Sequence, residues 1–249
     1  MAYCGAVGSL SGRRALVTGA GTRLGRAIAD GLADEGASVA FHCHSSRTGA
    51  DEGAARARRL GRTALVLEAD LADFAAARAL PGRAAEALSG LDLVVNSAAL
   101  FEKLPFERIS EEALERIWAL NFRAPFAICQ AAAGLLPRPG GCIVNVLDVG
   151  AAQPWRGYAH YGASKAALAM LTRELALELA PGLRVNGVSP GTILWPAQGY
   201  DAERRALELA RIPLGREGRP EDVARAVVFL ATSDYVTGEI LRVDGGRGI

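Results

Sequence analysis

The chain has 249 residues, half of them hydrophobic and 22% charged, with a formal net charge of +1. That balance excludes a disordered or low-complexity chain, and it offers neither a basic field for nucleic acid nor a like-charge block for a polyanion. The length fits one α/β domain better than two small ones, and the near-neutral charge points to small-molecule chemistry.

The first twelve residues lack the basic and apolar regions of a signal peptide and read as a flexible leader. From Arg13 on, short apolar runs alternate with longer amphipathic stretches. Strands are predicted at Arg14–Thr18, Ser38–Cys43, Thr63–Leu67, Leu91–Val95, Cys142–Leu147, Leu183–Val188 and Ile240–Val243. Helices are predicted over Thr22–Glu35, Asp51–Leu60, Phe74–Leu88, Glu111–Leu136, Tyr158–Leu179, Glu203–Arg211 and Glu221–Thr232. Continuous apolar strands alternating with helices mean a parallel sheet covered on both faces, a single doubly wound Rossmann domain spanning residues 1–249. The irregular segment beginning at Gly191 and running to about Arg211 reads as a substrate lid. No uncharged apolar run is long enough to span a membrane, and Cys4, Cys43, Cys129 and Cys142 form no CxxC pair. The expectation is a soluble, cytoplasmic protein with reduced thiols.

The first strand runs into Thr18-Gly-Ala-Gly-Thr-Arg-Leu-Gly25 and then a helix. In open α/β sheets this turn is where a dinucleotide pyrophosphate meets a helix N-terminus. Gly19 permits the tight turn and Gly25 the close packing, while Arg23 stands where a third glycine is frequent. The second strand ends in Phe41-His-Cys-His-Ser-Ser-Arg47 with no carboxylate before Asp51, which suits a 2′-phosphate and hence NADPH over NADH. His42 and His44 have no carboxylate or thiol cluster in reach, so no metal site is expected.

Tyr161-Gly-Ala-Ser-Lys165 places a phenol and an ammonium four apart on one helix face, where the cation is expected to lower the pKa of the phenol. Lys165 is one of two lysines, the other being Lys103, against 26 arginines. A site that needs a compact ammonium would resist replacement by guanidinium.

Together these residues resemble the short-chain dehydrogenase/reductase family over nearly the whole chain. The supporting elements are the Gly19–Gly25 turn, Asp70, Asn96-Ser-Ala-Ala99, Asn121, Tyr161/Lys165, Pro190-Gly191 and Val243-Asp-Gly-Gly246. The resemblance implies a cofactor line through Gly19, Arg23, Leu24, His44, Ser45, Ser46, Asp70, Leu71, Asn96, Ser97, Ala98, Tyr161, Lys165, Pro190, Gly191 and Ile193. It also implies that Asn121 and Lys165 share a proton-relay water, and that the chain assembles as a homotetramer through two long helices.

One departure is informative: the Ser that most of the family carries thirteen residues before the Tyr is Asp148 here. Asp148, Arg23 and the His-x-His-x-Ser stretch look like the pteridine reductase branch, which includes dihydromonapterin and dihydrofolate reductases. On that resemblance Asp148 and Tyr161 protonate a ring nitrogen, and Arg23 holds pyrophosphate and substrate together. Phe101 sandwiches a flat pterin or is a core residue, Tyr158 lines the same pocket, and Trp195 closes over it or is a packing anchor. Arg, frequent after the second His in that branch, is Ser45 here, which leaves Ser46 or Arg47 to meet the 2′-phosphate. The implied activity is NADPH-dependent reduction of a dihydropterin or dihydrofolate. The alternatives are a short-chain reductase of another carbonyl, such as a 3-oxoacyl thioester or sugar, and a non-catalytic nucleotide-binding regulator.

Overall fold

Residues 8–195 and 201–249, those the computed structural model describes, form seven strands. They are Arg14–Val17 (β1), Ser38–Cys43 (β2), Ala64–Glu68 (β3), Leu93–Asn96 (β4), Gly141–Val146 (β5), Leu183–Pro190 (β6) and Ile240–Val243 (β7). Eight α-helices accompany them: Arg23–Asp34 (α1), Arg47–Arg59 (α2), Phe74–Leu88 (α3), Glu111–Trp118 (α4), Ala124–Ala132 (α5), Ala159–Glu178 (α6), Ala202–Leu209 (α7) and Pro220–Thr232 (α8). The sheet is parallel in the order β3-β2-β1-β4-β5-β6-β7. Chain order reverses between β1 and β4, and the crevice beyond their carboxyl ends is the place where such sheets bind ligands.

Successive side chains of a strand face opposite ways, so both faces must be covered. Ala15 and Val17 join the apolar layer under α1, α2 and α8, which Ile28, Leu32, Ala54, Val223 and Leu230 fill. Leu16 points to the other layer, under α3, α5 and α6, with Leu80, Ile128 and Ile143. Each layer is built on helix residues three and four apart, such as Ile28, Leu32 and Ala29, Ala33, which line a single helical face.

The strand–helix order follows the pattern of the sequence, and Ser38–Cys43, Phe74–Leu88 and Ile240–Val243 have the expected bounds. Three regions differ. The helix expected over Glu111–Leu136 is broken at Ala119–Arg123 by one π-helical turn and ends at Ala132. Helix α2 starts four residues earlier than expected, because Arg47 pairs with Asp51 one turn on, at 3.1 Å. In the expected leader, residues 1–7 lie outside the described residues. Residues 8–12 are pinned: Leu10 is buried, and the Ser9 backbone N–H and hydroxyl donate to Glu35 at 3.0 and 2.8 Å.

Beneath the reversal point, Arg14 at the start of β1 is tied to Asp92 just before β4. The Asp92 carboxylate accepts from the Arg14 backbone N–H, Nε and Nη2 at 2.9, 2.7 and 3.0 Å. Burial pushes the Asp92 carboxyl up, but the bonds to Arg14 together hold it below its ordinary value. A carboxyl lowered in the folded state stabilises above its unfolded pKa and loses that contribution as pH falls through the folded one. Asp92→Asn is therefore expected to cost about 2 kcal/mol at neutral pH. The gap to wild type should close in urea melts run at successively lower pH, below the ordinary value of 3.8.

Candidate active site

At the reversal point the turns after β1 and β4 are locked together. The Thr18 hydroxyl accepts from the backbone N–H groups of Ser97 and Ala98 at 2.9 and 3.0 Å. Gly19 has φ +67°, and a Cβ on it would lie 3.0 Å from the Ala98 Cα, so both its conformation and its space demand glycine. A Cβ on Gly25 would run into the Gly19 carbonyl, which is how α1 comes to sit against the strand. His42 braces the same turn from β2: its Nδ1 accepts from Gly19 N–H at 3.2 Å and its Nε2 lies 3.1 Å from the Ala69 carbonyl. With both nitrogens used, His42 is a structural brace, and burial holds it neutral down to about 4.

The N-terminus of α1 is built to receive an anion. Its cap residue Thr22 makes no side-chain capping bond, and the first turn holds no acidic residue. The leading N–H groups and the positive end of the helix dipole thus face the crevice. Arg23, in the left-handed region at φ 49°, sends Nη2 toward the carbonyls of Leu194 and Trp195 at 3.4 and 3.3 Å, holding the segment after β6. Leu24 is half-buried against the core.

The β2 end places His44 and Ser45 in solvent and Ser46 at the N-cap of α2, against Gly21. The Arg47 guanidinium is taken by Asp51 and Glu68, at 3.1 and 3.3 Å. Exposed Asp70 uses Oδ1 on the Ala72 N–H at 2.9 Å, and Leu71 beside it is buried. Pro190 ends β6, Gly191 N–H donates to the Val243 carbonyl at 3.0 Å, and Ile193 is buried.

The sequence-predicted catalytic residues converge at the ends of β5 and α6. Tyr161 donates its hydroxyl hydrogen to Asp148 Oδ2 at 3.0 Å, and Asp148 Oδ1 accepts from Gly150 N–H at 2.7 Å. Lys165 Nζ donates to the Val146 carbonyl at 2.9 Å. Tyr161 and Lys165 are buried and Asp148 is partly buried, and withdrawal from water dominates their protonation. It raises the Asp148 carboxyl, against the Gly150 N–H, Tyr161, Lys165 and Arg247, and pulls the Lys165 ammonium down to about 8. The Tyr161 phenol is pushed well above its ordinary value, by burial first and by the Asp148 charge next. This reverses the expectation that Lys165 lowers the phenol: the tyrosine hydroxyl faces a carboxylate, not the ammonium, and so keeps its proton.

The π turn explains Asn121. One extra residue in the turn aims its fully buried amide at the loop after β4. There Oδ1 accepts from Leu100 N–H at 2.8 Å, and Nδ2 donates to the Leu100 carbonyl at 3.0 Å and to Ser164 Oγ at 3.2 Å. The loop is thereby fastened to α6, and Phe101 is delivered to the site. Phe101 stacks on Tyr158 (centroids 4.9 Å apart, 25°) and stands edge-on to Tyr161 at 4.9 Å, with 46% of its surface exposed. It is a platform with one open face, not a core residue. Trp195 lies with Arg205 of α7, 5.5 Å from guanidinium to ring.

Asn96 points its amide inward, to Asn145 Oδ1 at 2.9 Å, and Asn145 continues to Thr172 at 2.9 Å. The structure brings Asp148, Tyr161, Lys165, Phe101 and Tyr158 together and puts Asn121 behind them. It gives bracing roles to Thr18 and His42, which lie within the Thr18–Gly25 and Phe41–Arg47 stretches, and adds two residues that no motif signalled: Gly150 and Trp155, whose ring is 5.8 Å from Tyr158.

The fold and site define an oxidoreductase of the doubly wound, Tyr/Lys type. A family model described as enoyl-(acyl carrier protein) reductase matches residues 19–247. The chain is 39% identical to D-erythrulose reductase of Gallus gallus, over 96% of each chain. It is 37% identical to L-rhamnose 1-dehydrogenase (NAD(P)(+)) of Sphingomonas sp. (strain SKA58), over 95% of this chain and 96% of the other. A short-chain dehydrogenase from Burkholderia cenocepacia, solved in complex with NADP, superposes with a TM-score of 0.91 at 37% identity, over 97% of this chain and all of that one. The chain belongs to the short-chain dehydrogenase/reductase family.

Lys165 yields a test that needs no substrate. Its folded pKa of about 8 lies below the ordinary 10.5, so between those values the unfolded chain binds more protons and stability rises with pH. Urea melts across that window should show Lys165→Met lacking part of the wild-type rise.

Proposed function

We propose that this protein is an NADPH-dependent reductase of a flat, nitrogen-containing ring of the dihydropteridine class, acting at a C=N bond. The observation that carries the reading is the Tyr161 hydroxyl resting on Asp148 Oδ2 beside the open face of Phe101. A Ser in that slot would offer a neutral hydroxyl to a ketone oxygen. Asp148 instead accepts from the phenol and is raised by burial, so it can take a proton from solvent and return it to the phenol, which suits a ring nitrogen that must be protonated. When bound, the dinucleotide supplies the hydride. The free N–H groups of α1 would hold its pyrophosphate, and the N-terminus of α2 with Ser45 and Ser46 its 2′-phosphate. Phe101 would stack the ring, Tyr158 would line the pocket, and Tyr161 would pass its proton and regain one from Asp148.

A second reading has the relatives on its side. Their names speak of erythrulose and rhamnose, and on the comparisons alone reduction of another carbonyl, such as a sugar, has the better support. The segment from Gly191 to Arg211 is proposed as the lid in either case; residues 196–200 lie outside the described residues.

NADPH oxidation, followed with dihydrobiopterin, dihydromonapterin, dihydrofolate and D-erythrulose in turn and with NADH as control, separates the readings. Turnover is expected with a dihydropterin and NADPH, and Asp148→Asn should lose about a hundredfold in kcat while keeping its affinity for NADPH. Activity confined to erythrulose, and kept by Asp148→Ser, would establish the carbonyl reading. Binding of NADPH with no turnover on any acceptor would point to a regulator.

A homotetramer is proposed from α6, which exposes Ala163, Ala166, Met170 and Leu177 along one side, with Phe126 exposed on α5. Light scattering is expected to give four times the chain mass, and a monomer would refute it.

A further inference from the structure

Past β7 the chain makes a tight turn through Asp244-Gly-Gly-Arg-Gly248. The Asp244 carboxylate closes it, accepting from the N–H groups of Gly246 and Gly248 at 2.9 Å each. Gly245 and Gly246 both have positive φ, at 65° and 88°, and a Cβ on Gly246 would lie 2.9 Å from Pro213, just beyond α7. The turn is thus wedged where only glycine fits, and it sends the next side chain, Arg247, inward to a tenth of its full exposure.

What Arg247 touches forms an unbroken path. Its Nη2 meets Glu208 Oε2 of α7 at 2.6 Å. Its guanidinium lies over the Trp155 ring, 5.7 Å from the centroid. The edge of that ring fits against Gly150, where a Cβ would come within 3.3 Å of it. Gly150 is the residue whose N–H holds Asp148 Oδ1 at 2.7 Å, and Asp148 Oδ2 receives the Tyr161 hydroxyl. Trp155 also stands edge-on to Tyr158, which stacks on Phe101.

We propose that Arg247 is a positioning residue that couples α7 to the proton-transfer pair: it ties Glu208 to the Trp155–Gly150 wall, so that the seating of α7 fixes the alignment of Asp148 with Tyr161. The geometry has an electrostatic side as well. The charged and titratable groups facing Asp148 are Tyr161 and Lys165 from α6 and Arg247 from the tail, and the two cations oppose the upward push of burial on its carboxyl. Lys165 is held by the Val146 carbonyl of β5, whereas the place of Arg247 depends on α7. The inference rests on the reading that Asp148 and Tyr161 move the proton.

The test compares Arg247→Met, Arg247→Lys and Glu208→Ala with the wild type. The Asp148 carboxyl is titrated by ¹³C NMR in the cofactor-free protein, with its resonance assigned from Asp148→Asn, and kcat is measured against pH with whichever acceptor is turned over. Arg247→Met is expected to raise the Asp148 midpoint by about half a pH unit. It should lower kcat by roughly three- to thirtyfold, with the pH profile displaced the same way. Arg247→Lys keeps the charge and should restore the midpoint, while the loss of the planar contact with Trp155 leaves kcat short. Glu208→Ala removes the carboxylate, leaves the guanidinium only the residue-208 carbonyl, 3.4 Å from Nη1, and should move both quantities in the direction of Arg247→Met, by less. Because this change is at the periphery, it serves if Arg247→Met does not fold.

A lowered melting temperature with an unmoved midpoint and an unmoved pH profile in both Arg247→Met and Glu208→Ala would overturn the proposal and make Arg247 a structural pin. Failure of the underlying reading looks different. Full activity in Asp148→Asn with a shifted midpoint in Arg247→Met would remove the catalytic role of Asp148 and leave the coupling standing.

Discussion

The structure turns on the withdrawal from water of three ionisable side chains at one end of the sheet, Tyr161 and Lys165 buried and Asp148 partly so. Charge is costly away from water, so each must find a partner or change its protonation. The local architecture follows from that demand. Strand β5 ends so that the Val146 carbonyl faces Lys165, and a short turn follows so that the Gly150 N–H faces Asp148. Tyr161, one helical turn before Lys165, closes the set on the other carboxylate oxygen. The π turn in the neighbouring helix serves the same end, since only the added residue aims the Asn121 amide at Leu100 and Ser164.

Much of this was legible before any coordinates. Short continuous apolar runs separate strands from the longer amphipathic helices, and a parallel sheet follows from their alternation. Tyr161, Lys165 and Asp148 stand out by spacing, and the turn at Gly19 by its place after the first strand. What was not legible has physical causes. The π turn leaves no mark on composition, because Glu111–Leu136 carries apolar residues on either side of it. The direction of the Tyr161 shift depends on which neighbour its hydroxyl meets, and spacing along a helix cannot say. Arg47, a candidate for a phosphate, proved to be held by Asp51 and Glu68. Arg247 lies nearly a hundred residues from Trp155 in sequence, and only the folded chain puts guanidinium over indole.

Family and substrate stand at different levels of support. The chain is related over nearly its whole length to proteins named for sugar chemistry, while its own site carries a carboxylate on the Tyr161 hydroxyl and a half-exposed Phe101 beside it. Identity near 37% fixes the scaffold well, but a substrate is selected by a handful of side chains. The two readings differ at Asp148 and Phe101, and agree on everything that holds the dinucleotide.

The brace at His42 has a consequence of its own. Its imidazole accepts at one nitrogen and donates at the other, a pattern that allows a single tautomer, and burial keeps it uncharged down to about 4. Asp148 and Lys165, whose protonation burial also shifts, belong to another part of the crevice. The turn that His42 braces is therefore held in one hydrogen-bonding pattern at any pH above about 4. The backbone at Gly19 keeps its shape while Lys165, further along the crevice, changes its charge.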